Sequence, residues 1–297
     1  MGPQKAKAPL EMARFIEEEI KAFTHTSPLN RMPMSDNFIF DEPLVQFADG
    51  DDPIFTEYKT IIDPTHLTPR EALAKTFNKS PEDIPAHFSI ISWILPITSK
   101  TRESNRRRTL TPSRLWSYTR FYGEKFNDAM REHVVKLLTE KGCLAVAPVL
   151  QPYFKSMEYN EEKGYHSNWS ERHIAYAAGL GTFSLSDGFI TERGITHRCG
   201  SAVTDLTLPA SPRTAKSPYS NCLFYVNGKC TACIARCPAG AITENGHDKL
   251  RCRQYQREDI DYIAKKYDVG TAGCGLCQVK VPCEYRNPTR KVKKKVS

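Results

Sequence analysis

The sequence holds no apolar run long enough to span a bilayer, which takes about 20 residues, so a membrane-crossing helix is not expected. Residues 1–7 are basic but lead into no apolar stretch, and no twin-arginine pair occurs there. Export is therefore not expected, and a cytoplasmic setting is. A phosphate-binding Walker A run is missing. The Gly-Leu-Gly at 179–181 follows a helical stretch instead of a strand, which is the wrong context for a dinucleotide turn. No internal repeat stands out apart from the cysteines.

Acidic residues are also absent beyond Glu284, where Arg286, Arg290, Lys291, Lys293, Lys294 and Lys295 follow. These account for most of the net charge of +8. The rest of the chain is close to neutral, so the charge is not spread over a face. The tail reads as a solvated end that can still attract a polyanion. At 297 residues and 40% hydrophobic composition, there is chain enough for a real core and for two domains.

What the chain does have is cysteine. Eight of its ten are Cys222, Cys230, Cys233, Cys237, Cys252, Cys274, Cys277 and Cys283. Without an export signal, metal or cluster ligation is favoured over a disulfide framework. Residues 230–238 read C-x2-C-x3-C-P, which resembles the closing part of the bacterial ferredoxin run, whose last cysteine serves a second cluster. Thiolates are soft ligands suited to iron–sulfur clusters, and eight make two sets of four. Two [4Fe–4S] clusters are the expectation. By the ferredoxin exchange pattern, Cys222, Cys230, Cys233 and Cys283 form the first set, and Cys237, Cys252, Cys274 and Cys277 the second. The spacing is irregular at the first set alone. A ferredoxin run would place its first cysteine at Asn227, and the gap from Cys277 to Cys283 is longer than usual. Two four-cysteine zinc sites are the alternative.

Upstream, residues 9–25 carry an apolar stripe at helical spacing, and residues 30–64 look irregular but draped over a core by Phe38, Ile39, Phe40, Leu44, Val45 and Phe47. Thr68-Pro69-Arg70-Glu71 is a capping box opening a helix to about Asn78. Residues 87–96 (HFSIISWILP) are the strongest strand signal, apolar on both faces. Residues 101–108 read as an arginine-rich loop, either solvated or meeting a phosphate or carboxylate through Arg106, Arg107 and Arg108. A helix over 113–122 and a second over 127–141, capped by Asn127, come next, then a buried strand over 143–149 in which Cys143 is a core residue. Strand–helix–strand order points to an α/β layer. A helix capped by Ser170 leads to Gly179, with Ala175, Ala177, Ala178, Gly179 and Gly181 leaving room for another helix or a flat cofactor. Strands at 189–191 and 201–204 close this domain, and 209–218 is a linker. The expected division is an N-terminal helical and irregular segment over 1–85, an α/β domain over 86–212, a two-cluster domain over 213–285 and a basic tail over 286–297.

The block Ser170-Glu171-Arg172-His173-Ile174-Ala175-Tyr176-Ala177-Ala178-Gly179-Leu180-Gly181 resembles the Ala-Gly-Leu-Gly segment of epoxyqueuosine reductases and reductive dehalogenases. Residues 194–208, with Arg198, Gly200, Thr204, Asp205 and Leu206, are similar to the segment that follows it in both. Residues 118–142, the strand at 87–96 and the Gly273-Cys274-Gly275-Leu276-Cys277-Gln278 run also match in order and character. The likeness covers roughly 86–285.

The resemblance implies a nitroreductase-like α/β (α+β) core, a ferredoxin-like C-terminal domain with two [4Fe–4S] clusters, and cobalamin between them. Gly179, Gly181, Thr182, Ser184 and Arg198 would then lie at the corrinoid. A low-potential donor of ferredoxin or flavodoxin type would supply electrons, reducing cobalt to Co(I). The Asp-x-His-x-x-Gly corrinoid motif is missing, and the family does not need it. Where epoxyqueuosine reductases carry an Asp ahead of the Ala-Gly-Leu-Gly helix, this chain has Tyr165, beside His166. Reductive dehalogenases use a tyrosine as proton donor, so Tyr165 or His166 is the catalytic candidate, with His173 behind them. The chain ends without the helical-repeat tail of many epoxyqueuosine reductases. The function implied is a divergent cobalamin-dependent reductase acting on tRNA-borne epoxyqueuosine or on a small molecule. A ferredoxin-type carrier, a corrinoid-reducing partner protein and a dehalogenase-like enzyme are the alternatives. Cys199 is either a buried structural thiol or part of the loop at the corrinoid.

Overall fold

The computed structural model describes residues 8–33 and 35–290. The basic residues before Ala8 and the lysines at 291 and 293–295 lie outside that range. In chain order, α1 (Pro9–Thr26), β1 (Leu44–Asp49), α2 (Ile54–Ile61) and α3 (Pro69–Phe77) lead to β2 (Ser89–Pro96). Then come α4 (Ser99–Arg106), α5 (Arg114–Thr139) and β3 (Ala145–Val146). A hairpin of β4 (Ser156–Asn160) and β5 (Gly164–Ser167), α6 (Glu171–Ala177), a hairpin of β6 (Gly181–Phe183) and β7 (Phe189–Thr191), and β8 (His197–Thr204) complete the upstream part.

One sheet organises all of it, in the order β1-β2-β8-β3, with every neighbouring pair antiparallel. β2 is buried along its whole length because both of its faces are covered. Side chains alternate across a strand, so Ile91, Trp93 and Leu95 meet α1 and α5 through Ile16, Ile20, Phe126, Met130 and Val134. Ile90 and Ile94 face the other way, against Phe55 and Tyr58 of α2, Ala72 and Leu73 of α3 and Ile174 of α6. The result is a helix–sheet–helix sandwich. β2 and β3 run parallel to each other with α5 between them in sequence, as strand–helix–strand order suggested. β8 then inserts between them, so the sheet is antiparallel and the fold is mixed α and β.

Several local expectations are corrected. Residues 30–64 contain β1, whose pairing partner is 45 residues downstream (Val45 opposite Trp93, Phe47 opposite Ile91), and α2. The arginine-rich stretch is α4, with Thr101 and Asn105 buried on its inner side. Residues 114–139 form one helix. Asn127 does not cap it but sits buried mid-helix, accepting from Trp93 Nε1 at 3.0 Å and donating to the Cys199 carbonyl at 2.9 Å. The strand expected over 143–149 is only Ala145–Val146, followed by a 3-10 turn at Pro148–Leu150. The capping box at Thr68 is formed, and Asn78 ends α3 in the left-handed conformation. Cys143 is half-buried against the α1–α5 side of the core.

Gly200 lies opposite Trp93 in the β2–β8 register. A methyl group there would overlap the indole ring itself, which is also fixed by Asn127. Gly200→Ala is therefore expected to lower stability by about 1–3 kcal/mol through overpacking, read as a fall in the midpoint of chemical unfolding; an unchanged midpoint would show that the ring can give way.

Candidate functional site

Past the linker the chain turns to short pieces: α7 (Leu223–Asn227), α8 (Ala232–Arg236), a two-residue hairpin of β9 (Ile242–Thr243) and β10 (Gly246–His247), α9 (Lys249–Tyr255) and α10 (Asp261–Tyr267). A single π-helical stretch, Gln256–Ile260, joins α9 to α10. Cys252 sits in the middle of α9 and Cys233 within α8; the other six cysteines lie at the edges of these pieces or in the turns between them, and all are free. The groups that perturb one another's thiols fall largely into two sets, which touch at Cys233 and Cys277. Burial raises Cys283, and Cys222, Cys233 and Cys230 raise it further. Burial also raises Cys233, to about 11, with Cys222 and Cys230 adding to the effect. On the other side, burial brings Cys274 up to about 11 with Cys252 and Cys237 beside it. Cys277 is raised by burial, then by Cys274, Cys252 and Cys237, and last by Cys233 of the other set. Protonated thiols are what a buried sulfur set without metal should hold; bound metal removes those protons outright. Among the described residues no group of three or more His, Cys, Asp or Glu is set to hold a single metal ion. A [4Fe–4S] cubane, with four iron corners, spreads its four thiolates more widely than one tetrahedral ion does.

The cysteine segment is clamped to the core by Glu284, next to Cys283. Its side chain is 1% exposed and accepts from Arg106 Nε at 2.8 Å on both oxygens, with Arg102 Nε 3.6 Å away and the Lys280 amide donating at 2.7 Å. Its carbonyl accepts from Thr196 Oγ1 at 2.8 Å, and the Cys283 carbonyl accepts from the Ile195 amide at the same distance. On the other cysteine set, Arg236 Nε donates to the Leu276 and Val279 carbonyls, and Gly275 lies directly against the Trp116 ring of α5.

Between the core and the second cysteine set lies a cavity of about 260 Å³. Cys237, Cys252, Cys274 and Cys277 all line it; no cysteine of the first set does. The core side is supplied by Trp116, Thr119 and Arg120 of α5, Arg172 of α6, and His197 and Arg198 of β8. Tyr255 and Gln256, at the π-helical joint, complete that end. Its charge is arranged by Glu124, 3.5 Å from Arg120 and 3.6 Å from Arg198. Burial works to raise the Glu124 carboxyl, but Arg198, Arg131 and Arg120 together hold it down at about 2. Arg198 crowding Arg120, with burial added, lowers the latter's guanidinium to about 10. Burial brings His197 down to about 4, so it is neutral, with Nε2 on the Phe189 carbonyl at 2.7 Å. Thr119 Oγ1 is buried without a hydrogen-bond partner.

Of the residues expected at a corrinoid, Arg198 alone lines this cavity. A side chain at Gly179 would stand 2.7 Å from the Pro212 carbonyl, and one at Gly181 would meet the Ile190 carbonyl. The close approach read from these small residues is made by the chain's own linker and hairpin. Thr182 Oγ1 accepts from the Asn221 amide at 2.9 Å, and Ser184 and Ser186 bond each other at 3.1 Å. Tyr165 and His166 lie on β5 and do not line the cavity. Tyr165 rests on Tyr159 across the hairpin, rings 5.2 Å apart, and His166 Nε2 is 3.4 Å from Asp63 Oδ2. Burial lowers His173 well below the usual histidine range, and its Nδ1 meets Ser170 Oγ at 2.8 Å. Cys199 is a buried thiol raised to about 12, first by burial and then by Glu171.

Arg120, Arg172, Thr119 and Glu124 were not singled out from sequence. The available signal was the spacing of Trp116, Thr119, Arg120 and Glu124 on one side of a single helix, obscured when that helix is split at Asn127.

No family model matches the chain, and no curated protein does either. Solved structures do. The chain is similar to a selenomethionine-labelled epoxyqueuosine reductase at 15% identity and a TM-score of 0.49, covering 94% of this chain and 70% of that one. An epoxyqueuosine reductase from Bacillus subtilis matches at 16% and 0.47, covering 92% and 65%. A third, an epoxyqueuosine reductase with an epoxyqueuosine-modified tRNA stem loop, matches at 18% and 0.47, covering 94% and 70%.

Removing the clamp should be costly. Glu284→Ala leaves Arg102 and Arg106 without their shared partner and should destabilise the protein by about 3–5 kcal/mol, measured by equilibrium unfolding. A loss below about 0.5 kcal/mol, the range of a surface substitution, would show that the clamp is not structural.

Proposed function

We propose that this chain is an iron–sulfur oxidoreductase resembling epoxyqueuosine reductase, in which two [4Fe–4S] clusters feed electrons to a reduction site in the cavity between the core and the second cysteine set. The observation that carries this reading is that all four cysteines of the second set, and none of the first, line the cavity. A plain electron carrier needs no such space. The clusters fit the residues: eight soft donors in two mutually perturbing sets, with backbone held close around them. Cluster ligation by Cys222, Cys230, Cys233 and Cys283, and by Cys237, Cys252, Cys274 and Cys277, belongs to this proposal, as does a cytoplasmic setting. Among the described residues no helix is long and apolar enough to cross a membrane.

The resemblance adds cobalamin. Of the residues the resemblance places there, we propose Arg198 for its seat and not Gly179, Gly181, Thr182 or Ser184, which meet the chain's own linker and hairpin. Arg120, Arg172, Arg198 and the unpartnered Thr119 hydroxyl are the donors that would hold its polar periphery. When bound it supplies a strongly reducing metal centre. Opening an epoxide to an alkene consumes two electrons and two protons and releases water, so the site also needs a proton source. Tyr165 or His166 is proposed for that role. The support is the resemblance, together with the seating of their hairpin beside α9, where Lys249 Nζ donates to the Lys163 carbonyl at 3.2 Å. tRNA-borne epoxyqueuosine, or a small molecule carrying a comparably reducible group, is the proposed substrate.

Anaerobic reconstitution should give a brown protein with about eight irons per chain, falling toward about four in Cys222→Ser or Cys277→Ser, as expected for two four-cysteine clusters; a colourless protein with two zincs would overturn the reading. Stoichiometric corrinoid retention and loss of the epoxide from an epoxyqueuosine-containing tRNA, under a low-potential donor, test the rest. Tyr165→Phe should cut turnover while leaving cluster absorption intact, and unchanged turnover would remove Tyr165 from the reaction.

A further inference from the structure

The irregular spacing of the first cysteine set has a structural content. Between Cys222 and Cys230 the chain forms α7, and this short helix holds hydrophobic side chains outward. Tyr225 is 46% exposed, Val226 43%, and Tyr219, just before the loop, 38%. The rings of Tyr219 and Tyr225 lie 4.3 Å apart, and Phe224 meets Tyr225 at 5.3 Å. Phe224 in turn packs in one cluster with Cys222, Cys233 and Cys283 of the first set, which Cys237 and Cys277 also join. Aromatic surface thus runs without interruption from solvent to the first cysteine set.

The stretch of chain that carries this patch is basic. From Leu206 to Thr243 the sequence contains no acidic residue, while Arg213, Lys216, Lys229 and Arg236 fall within it. Arg213 is bound to Asp52 and Arg236 to backbone carbonyls, but Lys216 and Lys229 are exposed beside the patch. The C-terminal segment comes to the same place: Asn287 Nδ2 donates to Asn221 Oδ1 at 2.8 Å, one residue from Cys222. Arg286 is exposed on that segment, and Arg290, farther along it, is paired with Glu192. Asp187, whose charge acts on Tyr225, is held by His247 at 3.1 Å.

We propose that this aromatic, positively framed patch is where an acidic one-electron carrier protein docks, and that electrons arrive at the first cluster there. The inference rests on the two-cluster reading. One electron leaves the reduced carrier and one reaches the first cluster, with no bond made or broken; two such transfers supply a two-electron reduction at the cavity. A carrier that must leave after each electron suits a small interface, and redox encounters bury less than about 1,200 Å². Exposed tyrosines give contact area at low entropy cost, and long-range attraction raises the encounter rate. An RNA could also use basic and aromatic groups, but the patch overlies the first cysteine set, whereas the cavity where a substrate would react is lined by the second.

The test uses the full chain, anaerobically reconstituted, with iron and sulfide content confirming both clusters separately. Cluster bleaching is followed by stopped flow with two reductants: a reduced flavodoxin, which is acidic, and reduced methyl viologen, a small dication that needs no docking surface. The double variant Tyr225→Ser/Lys229→Glu should slow reduction by flavodoxin at least about tenfold, and the wild-type rate should fall steeply with salt. Reduction by methyl viologen should not change. Equal slowing with both reductants would mean the variant damages the cluster and would overturn the proposal. So would an unchanged flavodoxin rate, or loss of binding to a tRNA stem loop with the flavodoxin rate intact.

Discussion

The structure depends most on one buried carboxylate. Glu284 is almost fully removed from water, and dehydrating a charge costs several kcal/mol unless partners replace the solvent. Its partners are Arg106 and Arg102, four residues apart on α4, and the Lys280 amide. This arrangement fixes more than itself. It holds Cys283, places the strand entering β8 through Thr196, and gives α4 its reason to be a helix. An isolated Ser-Lys-Thr-Arg-Glu-Ser-Asn-Arg sequence has little apolar surface to bury. The arginines wind into a helix because, one turn apart, both reach the same carboxylate.

A second polar knot holds the core side. Arg131 is 2% exposed and lies among Asp128 at 2.6 Å, Glu171 at 3.0 Å and Glu124 at 3.1 Å. Glu171 in turn accepts from Ser201 Oγ at 2.6 Å, which accepts from the Trp169 indole at 3.0 Å. The knot joins α5, α6 and β8, and its outer member, Glu124, is what anchors the cavity arginines Arg120 and Arg198. The geometry of the cavity wall is therefore set by charges deeper in the protein. Buried, fully partnered networks of this kind resist small displacements because no member can move without leaving another unpaired.

Sequence reading succeeded where the signal was local. β2 was legible because an all-apolar run with branched side chains has few other uses, and α3 because its capping box is self-contained. It failed where the partner is far away. β1 becomes a strand only against β2. A carboxylate partner for Arg106 was open from the sequence, but not that it is Glu284, some 180 residues later, or that meeting it makes the stretch a helix. Asn127 was misread because the residue that caps helices is also one that satisfies a buried indole and carbonyl at once. The small residues near Gly179 correctly indicated a close approach, but composition does not say what approaches. The second cysteine set and the cavity were adjacent in space and not in sequence, so Arg120 and Arg172 carried no mark of their role.

The departure from ferredoxin spacing then acquires a direction. A regular ferredoxin run has two residues between its first and second cysteines, where this chain has seven between Cys222 and Cys230. Lengthening the stretch before Cys230 makes room for α7 and its outward aromatics, and it does so only at the set remote from the cavity. The tight Cys230–Cys237 run, by contrast, sends Cys237 across to the cavity set. An electron relay needs one end open to a partner and the other closed around a reaction space. Under the proposed two-cluster reading, the loosened spacing lies at the open end, and the crossing cysteine joins it to the closed one.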